Sequence, residues 1–410
     1  MMAKNHTSSA LNGEKPSLTA AEALSGAKRI VIKVGSALIC SDEGTADTAR
    51  LDDLAGEMAR LHGKGLDIIL VTSGSIALGK TLLGLKPPLR LDEKQAAAAS
   101  GQMPLMAAWQ DALRQHGLGV AQILLTLEDT EDRKRYLNAR ATIETLLGLG
   151  VIPIVNENDT TATAEIRYGD NDRLGAHTAQ MSSADLLVLL SDIDGLYSAN
   201  PQMDKTAKHI PVVEQITSQI EASASGPNQQ AGVGSGGMAT KLAAARIATR
   251  AGTGVIIANG HEREPLTRIS NQQARSTYFP PTVKAIDARR SWIAGRQKPA
   301  GTIMIDKGAA SALVKGSSLL PAGVTQVIGT FSRGDVITVS SRGASGAGAS
   351  GAGESEIAIG LAAYSSEEVD AIRGAKSDAI ESILGYRRRP SIIHRDDLVL
   401  LGAPSKPDIE

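Results

Sequence analysis

The sequence predicts an α/β protein, a mostly parallel sheet with helices on both sides, followed by a small β-rich module. Three observations carry this. Short runs rich in Val, Ile and Leu alternate with helix-like stretches up to about residue 265. Those runs are apolar nearly throughout, as strands covered on both faces are. Beyond that point the runs are shorter and divided by glycine, which suits a strand-and-turn module.

The first 25 residues hold Ser, Thr, Ala, Lys and Glu without an apolar centre, so they read as a disordered tail rather than a secretory signal. Strand-like runs follow at Ile30–Val34, Ile68–Val71, Val120–Leu125, Val151–Val155, Leu186–Leu190 and Val255–Ala258. Between them, Leu51–His62 repeats apolar residues at Leu51, Leu54, Ala55, Met58 and Leu61, a 3.6-residue period. Gln95–Gln115 is Ala-rich, and Glu131–Leu149 mixes charge with Leu137, Ile143, Leu146 and Leu147. Alternating units of this kind build a parallel sheet, and ligands then sit beyond the carboxyl ends of its strands. Pro280-Pro281 and Lys298-Pro299 bracket a linker. The expected division is a tail over 1–25, a first domain over 26–285, a linker over 286–299, the module over 300–385 and a C-terminal segment over 386–410. In the module the strand-like runs are Thr302–Ile305, Val324–Ile328, Asp335–Val339 and Ile357–Ile359. Gly343–Gly353 contains only Gly, Ala and Ser, which reads as a flexible hairpin extension.

Composition narrows the classes. The 410 residues carry 43 Lys+Arg against 44 Asp+Glu, a net of −1, so a strongly basic nucleic-acid coat is excluded. Two Trp, six Tyr and two Phe leave the core to aliphatic packing. Cys40 is the only cysteine, so no internal disulfide and no cysteine-based zinc site can form. No apolar run approaches the roughly 18 residues of a membrane span, and the cytosol is the expected compartment.

Six constellations could carry chemistry. Gly74-Ser75-Ile76-Ala77-Leu78-Gly79-Lys80-Thr81 fits the P-loop pattern G-x-x-x-x-G-K-[ST]. Its apolar interior continues to Leu82, Leu83 and Leu85, which favours an amphipathic helix with Lys80 on its solvent side. Val71-Thr72-Ser73-Gly74-Ser75 ends a strand and opens that helix. It offers either an anion site or a helix cap by Ser73 or Ser75. Lys33 interrupts the first apolar strand just before Gly35 and Ser36. It is costly to bury unless it meets an anion, although an edge position would let it reach water.

The fourth constellation pairs Asn156-Glu157-Asn158-Asp159 with Gly169-Asp170-Asn171-Asp172. Short Asx side chains can bind an amino group and a carboxylate together, or a magnesium ion; ordinary Asx turns explain one cluster but not both. In the fifth, Gly234-Ser235-Gly236-Gly237-Met238-Ala239-Thr240-Lys241 leads into a helical stretch, which reads as an anion cradle or as a linker ending in a cap. The sixth, Ser191-Asp192-Ile193-Asp194-Gly195-Leu196-Tyr197, either contacts a nucleotide or makes a turn. The seven histidines show no metal spacing, and Arg387-Arg388-Arg389 reads as a solvated face.

Taken together, the order and spacing of these motifs resemble the glutamate 5-kinase family of amino-acid kinases, from about Lys28 to Asp397. The resemblance includes Leu137-Asn138-Ala139-Arg140, and it extends to Gly316-Ser317-Ser318-Leu319-Leu320-Pro321 and Phe331-Ser332-Arg333-Gly334, which look like a PUA domain. It implies a three-layer αβα sandwich that transfers the γ-phosphoryl of ATP to the γ-carboxylate of L-glutamate. Lys33 and Lys241 would stabilise the transferring group, and Asp172 would position them. Ser73, Asp159 and Asn171 would hold glutamate, with Gly74, Asn156 and Asp170 nearby. Ser191, Asp192 and the run Ser235, Gly236, Gly237, Met238, Ala239, Thr240 and Lys241 would bind ATP with Mg2+, and Lys33 would also meet the nucleotide. The resemblance further implies inhibition by proline, a homo-oligomer and delivery of product to glutamyl phosphate reductase. RNA binding by the C-terminal module is the reading of a different class, which the near-neutral charge and scarce aromatics disfavour. Ser191 and Ser235 stand where the family often has Thr, and both keep a hydroxyl.

Overall fold

The computed structural model describes residues 18–41, 43–162, 170–224, 237–283, 299–342, 354–386 and 389–401. The segments read as a linker at 286–298 and as a hairpin extension at 343–353 lie outside the described residues, as do Ser235 and Gly236.

Helix α1 (Ala20–Gly26) opens the described chain with a capping box between Thr19 and Glu22. It buries Leu24, so the last part of the stretch read as a tail is ordered helix. Next come β1 (Arg29–Val34), α2 (Ser36–Ile39), α3 (Thr48–Gly63), β2 (Asp67–Thr72), α4 (Ser75–Leu82), α5 (Leu91–Gln115) and β3 (Gly119–Leu125). After these come α6 (Leu127–Glu131), α7 (Arg133–Gly148), β4 (Val151–Glu157), α8 (Asp170–Ser182) and β5 (Leu186–Ser191). A short hairpin, β6 (Leu196–Tyr197) and β7 (His209–Ile210), precedes α9 (Ser218–Ala224), α10 (Met238–Arg250), β8 (Gly254–Asn259), α11 (Pro265–Ser270) and β9 (Ser276–Phe279).

Seven strands form one sheet in the order β3-β4-β2-β1-β5-β8-β9. All neighbours are parallel except β8 and β9. Each of the six expected strands is present, extended by one or two residues. Strand β1 is central because the chain builds outward from it in both directions. A crevice beyond its carboxyl end is where such sheets bind ligands.

The pleat sorts the side chains of β1. Ile30, Ile32 and Val34 face the layer holding Leu51, Leu54 and Met58 of α3 with Leu105 and Trp109 of α5. Val31 faces the opposite layer, with Leu174 of α8 and Leu242 and Ala245 of α10. Strand side chains alternate, so Lys33 points with Val31 toward α8 and α10. The Lys33 stem lies so close to Gly175 of α8 that a Cβ there would sit 3.5 Å from its Cβ.

A second sheet has the order β11-β10-β12-β13-β14, from β10 (Gly301–Ile305), β11 (Val324–Gly329), β12 (Val336–Arg342), β13 (Glu354–Leu361) and β14 (Leu398–Leu400). Its core includes Ile303, Ile337, Val339 and Tyr364. Ile392 and Ile393 of the C-terminal segment are fully buried in the same core. The two units meet where Leu137 of α7 packs on Val336 and Leu361. Among the described residues no helix is long and apolar enough to cross a membrane.

Candidate active site

Beyond the end of β1, one carboxylate holds two ammonium groups. Lys33 Nζ lies 2.7 Å from Asp172 Oδ1, and Lys241 Nζ lies 3.2 Å from Asp172 Oδ2. Lys33 comes from β1, Asp172 from the first turn of α8 and Lys241 from the first turn of α10. All three are buried: Lys33 at 6% exposure, Asp172 at 0% and Lys241 at 2%. Thr240 adds a hydrogen bond from its hydroxyl to Asp172 Oδ2 at 3.2 Å. Burial alone would raise the Asp172 carboxyl. The charges of Lys33 and Lys241 and their hydrogen bonds outweigh that and hold it below its ordinary value. For Lys241, burial pulls the ammonium down, Asp172 opposes this, and repulsion from Lys33 adds to the fall. The trio carries two positive charges against one negative. A net buried cation is costly unless an anion joins it.

At the ends of β2 and β4 lies a network of amides. Asn171 Nδ2 lies 2.9 Å from Ser73 Oγ, 3.0 Å from the Thr72 carbonyl and 3.2 Å from Asn156 Oδ1. It thereby joins the ends of β2 and β4 to the start of α8. Asn156 Oδ1 also accepts from the Glu157 backbone N–H. Asn156 Nδ2 donates to Gln102 Oε1 at 2.7 Å. Asn156 and Asp159 are buried, at 1% and 7%. Asn158 does make a turn, since its carbonyl accepts from Thr161 and Ala162. Thus one of the two polar clusters contains a main-chain turn, while Asn156 and Asn171 knit the strand ends together. The side chain of Asp170 lies outside the described residues.

The first turn of α4 rules out the serine caps and agrees with the amphipathic helix favoured over the P-loop. Neither Ser73 nor Ser75 caps the helix: the N-cap is Gly74, at φ 108°, with no side-chain bond to the first turn. That left-handed φ favours glycine. The P-loop reading also fails. A Cβ on Gly79 would lie 1.8 Å from the Ala97 carbonyl oxygen, so this glycine packs α4 against α5 rather than around phosphate. Gly35 likewise offers no free N–H, because it donates to the Leu190 carbonyl at 3.2 Å.

On the other side of the lysines, Ser191 is buried and its hydroxyl accepts from Ile193 N–H at 3.4 Å. Asp192 is exposed, and its charge acts on Lys241. Leu196–Tyr197 pairs antiparallel with His209–Ile210 as one side of the short hairpin. Gly237 is the N-cap of α10 without a side-chain bond, and Met238, Ala239 and Thr240 precede Lys241 in the helix's first turn. Among the described residues, no group of three or more His, Cys, Asp and Glu side chains could hold a metal ion. Both oxygens of Asp172 are taken by the lysines. This donor set suits a magnesium ion carried on nucleotide phosphates with its own waters, not an all-protein cage.

Helix α5 contributes side chains that the sequence reading missed. Trp109 Nε1 donates to Thr72 Oγ1 at 2.9 Å beneath Ser73. Gln102 supports Asn156, and Gln95 Nε2 reaches the Ala162 carbonyl at 3.4 Å. In sequence these residues lie in an Ala-rich helix with no local mark of a site; the seven-residue spacing of Gln95 and Gln102, two helical turns, was the available signal.

Comparison with known proteins identifies the family. The Amino acid kinase family matches residues 28–259, and the PUA domain matches residues 301–384. The Glutamate 5-kinase of Paramagnetospirillum magneticum is 52% identical over 380 residues, 92% of this chain and 99% of that protein. The Glutamate 5-kinase of Agrobacterium fabrum is 52% identical over 379 residues, 92% of this chain and 94% of that protein. The chain belongs to the amino acid kinase family, within its glutamate 5-kinase group, and carries a PUA domain after the kinase domain.

Proposed function

We propose that this enzyme transfers the γ-phosphoryl group of ATP to the γ-carboxylate of L-glutamate, giving L-glutamyl 5-phosphate at the head of proline biosynthesis. The observation that carries the reading is the buried pair of lysines on the two oxygens of Asp172. A carboxylate is already ionised near pH 7, so attack needs no general base. Its oxygen bonds to the γ-phosphorus as the bond to the bridging oxygen breaks, and ADP leaves. The barrier is repulsion between a carboxylate and a polyphosphate. Lys33 and Lys241 offset it, and their net positive charge is already desolvated before substrate arrives. Asp172 holds both ammonium groups in place.

Ser73, Gly74, Asn156, Asp159, Asp170 and Asn171 form the glutamate side in this reading. Ser191, Asp192 and the run Ser235–Lys241 form the ATP side. Magnesium bound to the nucleotide neutralises part of the phosphate charge. A cytoplasmic homo-oligomer, inhibited by proline and feeding a reductase that consumes the acyl phosphate, completes the proposal.

A hydroxamate assay tests it, run with ATP and glutamate, aspartate, N-acetylglutamate or no acceptor. Product with glutamate well above the others is expected. Activity only with another acid, or equal ATP hydrolysis without acceptor, overturns it.

A further inference from the structure

Two buried atoms of the amide network, Gln102 Nε2 and Asn171 Oδ1, have no hydrogen-bond partner among the described residues. Asn156 has no freedom of orientation, because its Oδ1 accepts from Glu157 N–H and from Asn171 Nδ2. Its Nδ2 must therefore donate, and the group that receives it is Gln102 Oε1, at 2.7 Å. That fixes the Gln102 amide in turn. Its Nε2 is left buried and without a hydrogen-bond partner among the described residues. Asn171 Oδ1 is buried and unpartnered in the same way, because the Asn171 Nδ2 is directed to Ser73, Thr72 and Asn156. One network thus ends in one spare donor and one spare acceptor. An α-amino acid offers the complement: a carboxylate that accepts and an ammonium that donates.

The placement of Gln102 is not accidental to side-chain flexibility. Its neighbour Gly101 is pressed against α4, where a Cβ would lie 1.9 Å from the Ser75 carbonyl oxygen. This backbone contact fixes how far α5 slides along α4. Two turns earlier on α5, Gln95 holds the Ala162 carbonyl in the loop that carries Asp159. Helix α5 therefore braces both Asn156 and the loop after β4.

We propose that Gln102 is a specificity-determining residue, whose Nε2–H donates to the α-carboxylate of the acceptor amino acid while its Oε1 orients Asn156. The proposal rests on the reading that the acceptor is glutamate, and it adds which residue reads the α-carboxylate.

The test is Gln102→Glu, which keeps an oxygen for Asn156 and replaces only the spare donor with an acceptor. Turnover is followed as ADP release with two acceptors, L-glutamate and its α-amide, in which an N–H donor stands in place of a carboxylate oxygen. Losing a hydrogen bond to a charged group and gaining a repulsion should reduce the preference for glutamate over the α-amide by roughly 10- to 100-fold. KM for ATP should stay within about 2-fold, because Gln102 serves only the acceptor in this assignment. If both acceptors lose activity equally, so that the preference is unchanged, Gln102 merely supports Asn156 and the proposal is overturned. Should the charged variant fail to fold, Gln102→Ala read by the same ratio decides the matter. Failure of the underlying function looks different: wild-type enzyme would then show no glutamate-dependent ADP release at all.

Discussion

Lys33 and Lys241 hold opposite oxygens of Asp172, at 2.7 Å and 3.2 Å, although they come from the first strand and from a helix near the end of the kinase domain. Replacing either with Ala should lower kcat about 100- to 1,000-fold, by analogy with losing one oxyanion donor, or about 2.7–4 kcal/mol. Lys80→Ala should leave kcat within about 2-fold, because removing a charge away from the reacting centre has little transition-state effect. Steady-state kinetics on the three variants check this. Asp172→Asn should cost stability as well, since it strands two buried cations; about 3–5 kcal/mol is expected from breaking a buried pair.

Activity and stability should part company at alkaline pH. Burial, reinforced by Lys33, lowers the Lys241 ammonium from the ordinary 10.5. Above its native value, Lys241 in the folded enzyme has lost a proton that an unfolded chain still holds. Between that value and 10.5, this group therefore makes stability rise with pH, while kcat falls as the charge disappears. On the acid side the sign is opposite. Against the penalty of burial, the two lysines hold Asp172 below 3.8, so its contribution is complete above 3.8 and is lost as pH falls through the native value. Parallel pH profiles of kcat and of the urea midpoint check both limbs. In Lys241→Arg, whose charge persists, the alkaline fall in kcat should move to higher pH.

Gly79 and Gly101 should not tolerate a methyl group. Their added Cβ atoms would lie 1.8 Å from the Ala97 oxygen and 1.9 Å from the Ser75 oxygen, both rigid backbone atoms. Gly79→Ala and Gly101→Ala should each cost about 3 kcal/mol, the upper range for overpacking. Denaturant unfolding checks the magnitude. Gly101→Ala should also raise KM for glutamate, because it shifts the helix that carries Gln102.

The sheet was legible because fully buried strands leave unbroken apolar runs, and all six runs of the kinase domain became strands. Lys33 was legible for the same reason: a lysine inside such a run has few bland explanations. β9 was not, because its four residues, Ser276–Phe279, mix polar and aromatic types. The P-loop pattern was already disfavoured by its apolar interior, which reads as a helix face, and the contact of Gly79 with Ala97 supplies the reason for its second glycine. The contribution of α5 was barely legible: the spacing of Gln95 and Gln102 places them on one helix face, but that Gln102 meets Asn156 is set by tertiary packing.

The Leu137-Asn138-Ala139-Arg140 motif has a structural explanation at the domain junction. Leu137 packs on Val336 and Leu361, and Arg140 Nη1 donates to Asp397 Oδ1 at 3.0 Å. Arg389 reaches the other oxygen, Asp397 Oδ2, at 3.3 Å. The side chains of Arg140 and Asp397 are each only 5% exposed. Asp397→Ala leaves Arg140 buried beside the half-buried Arg389 with no shared carboxylate, and should cost about 3–5 kcal/mol. An apolar replacement of the pair, Arg140→Met with Asp397→Leu, should recover much of that loss, because desolvating an ion pair offsets most of its attraction. Urea unfolding monitored separately for each domain checks this. If the junction couples the domains, Asp397→Ala should split one transition into two; a single transition of unchanged midpoint would mean the buried pair contributes nothing.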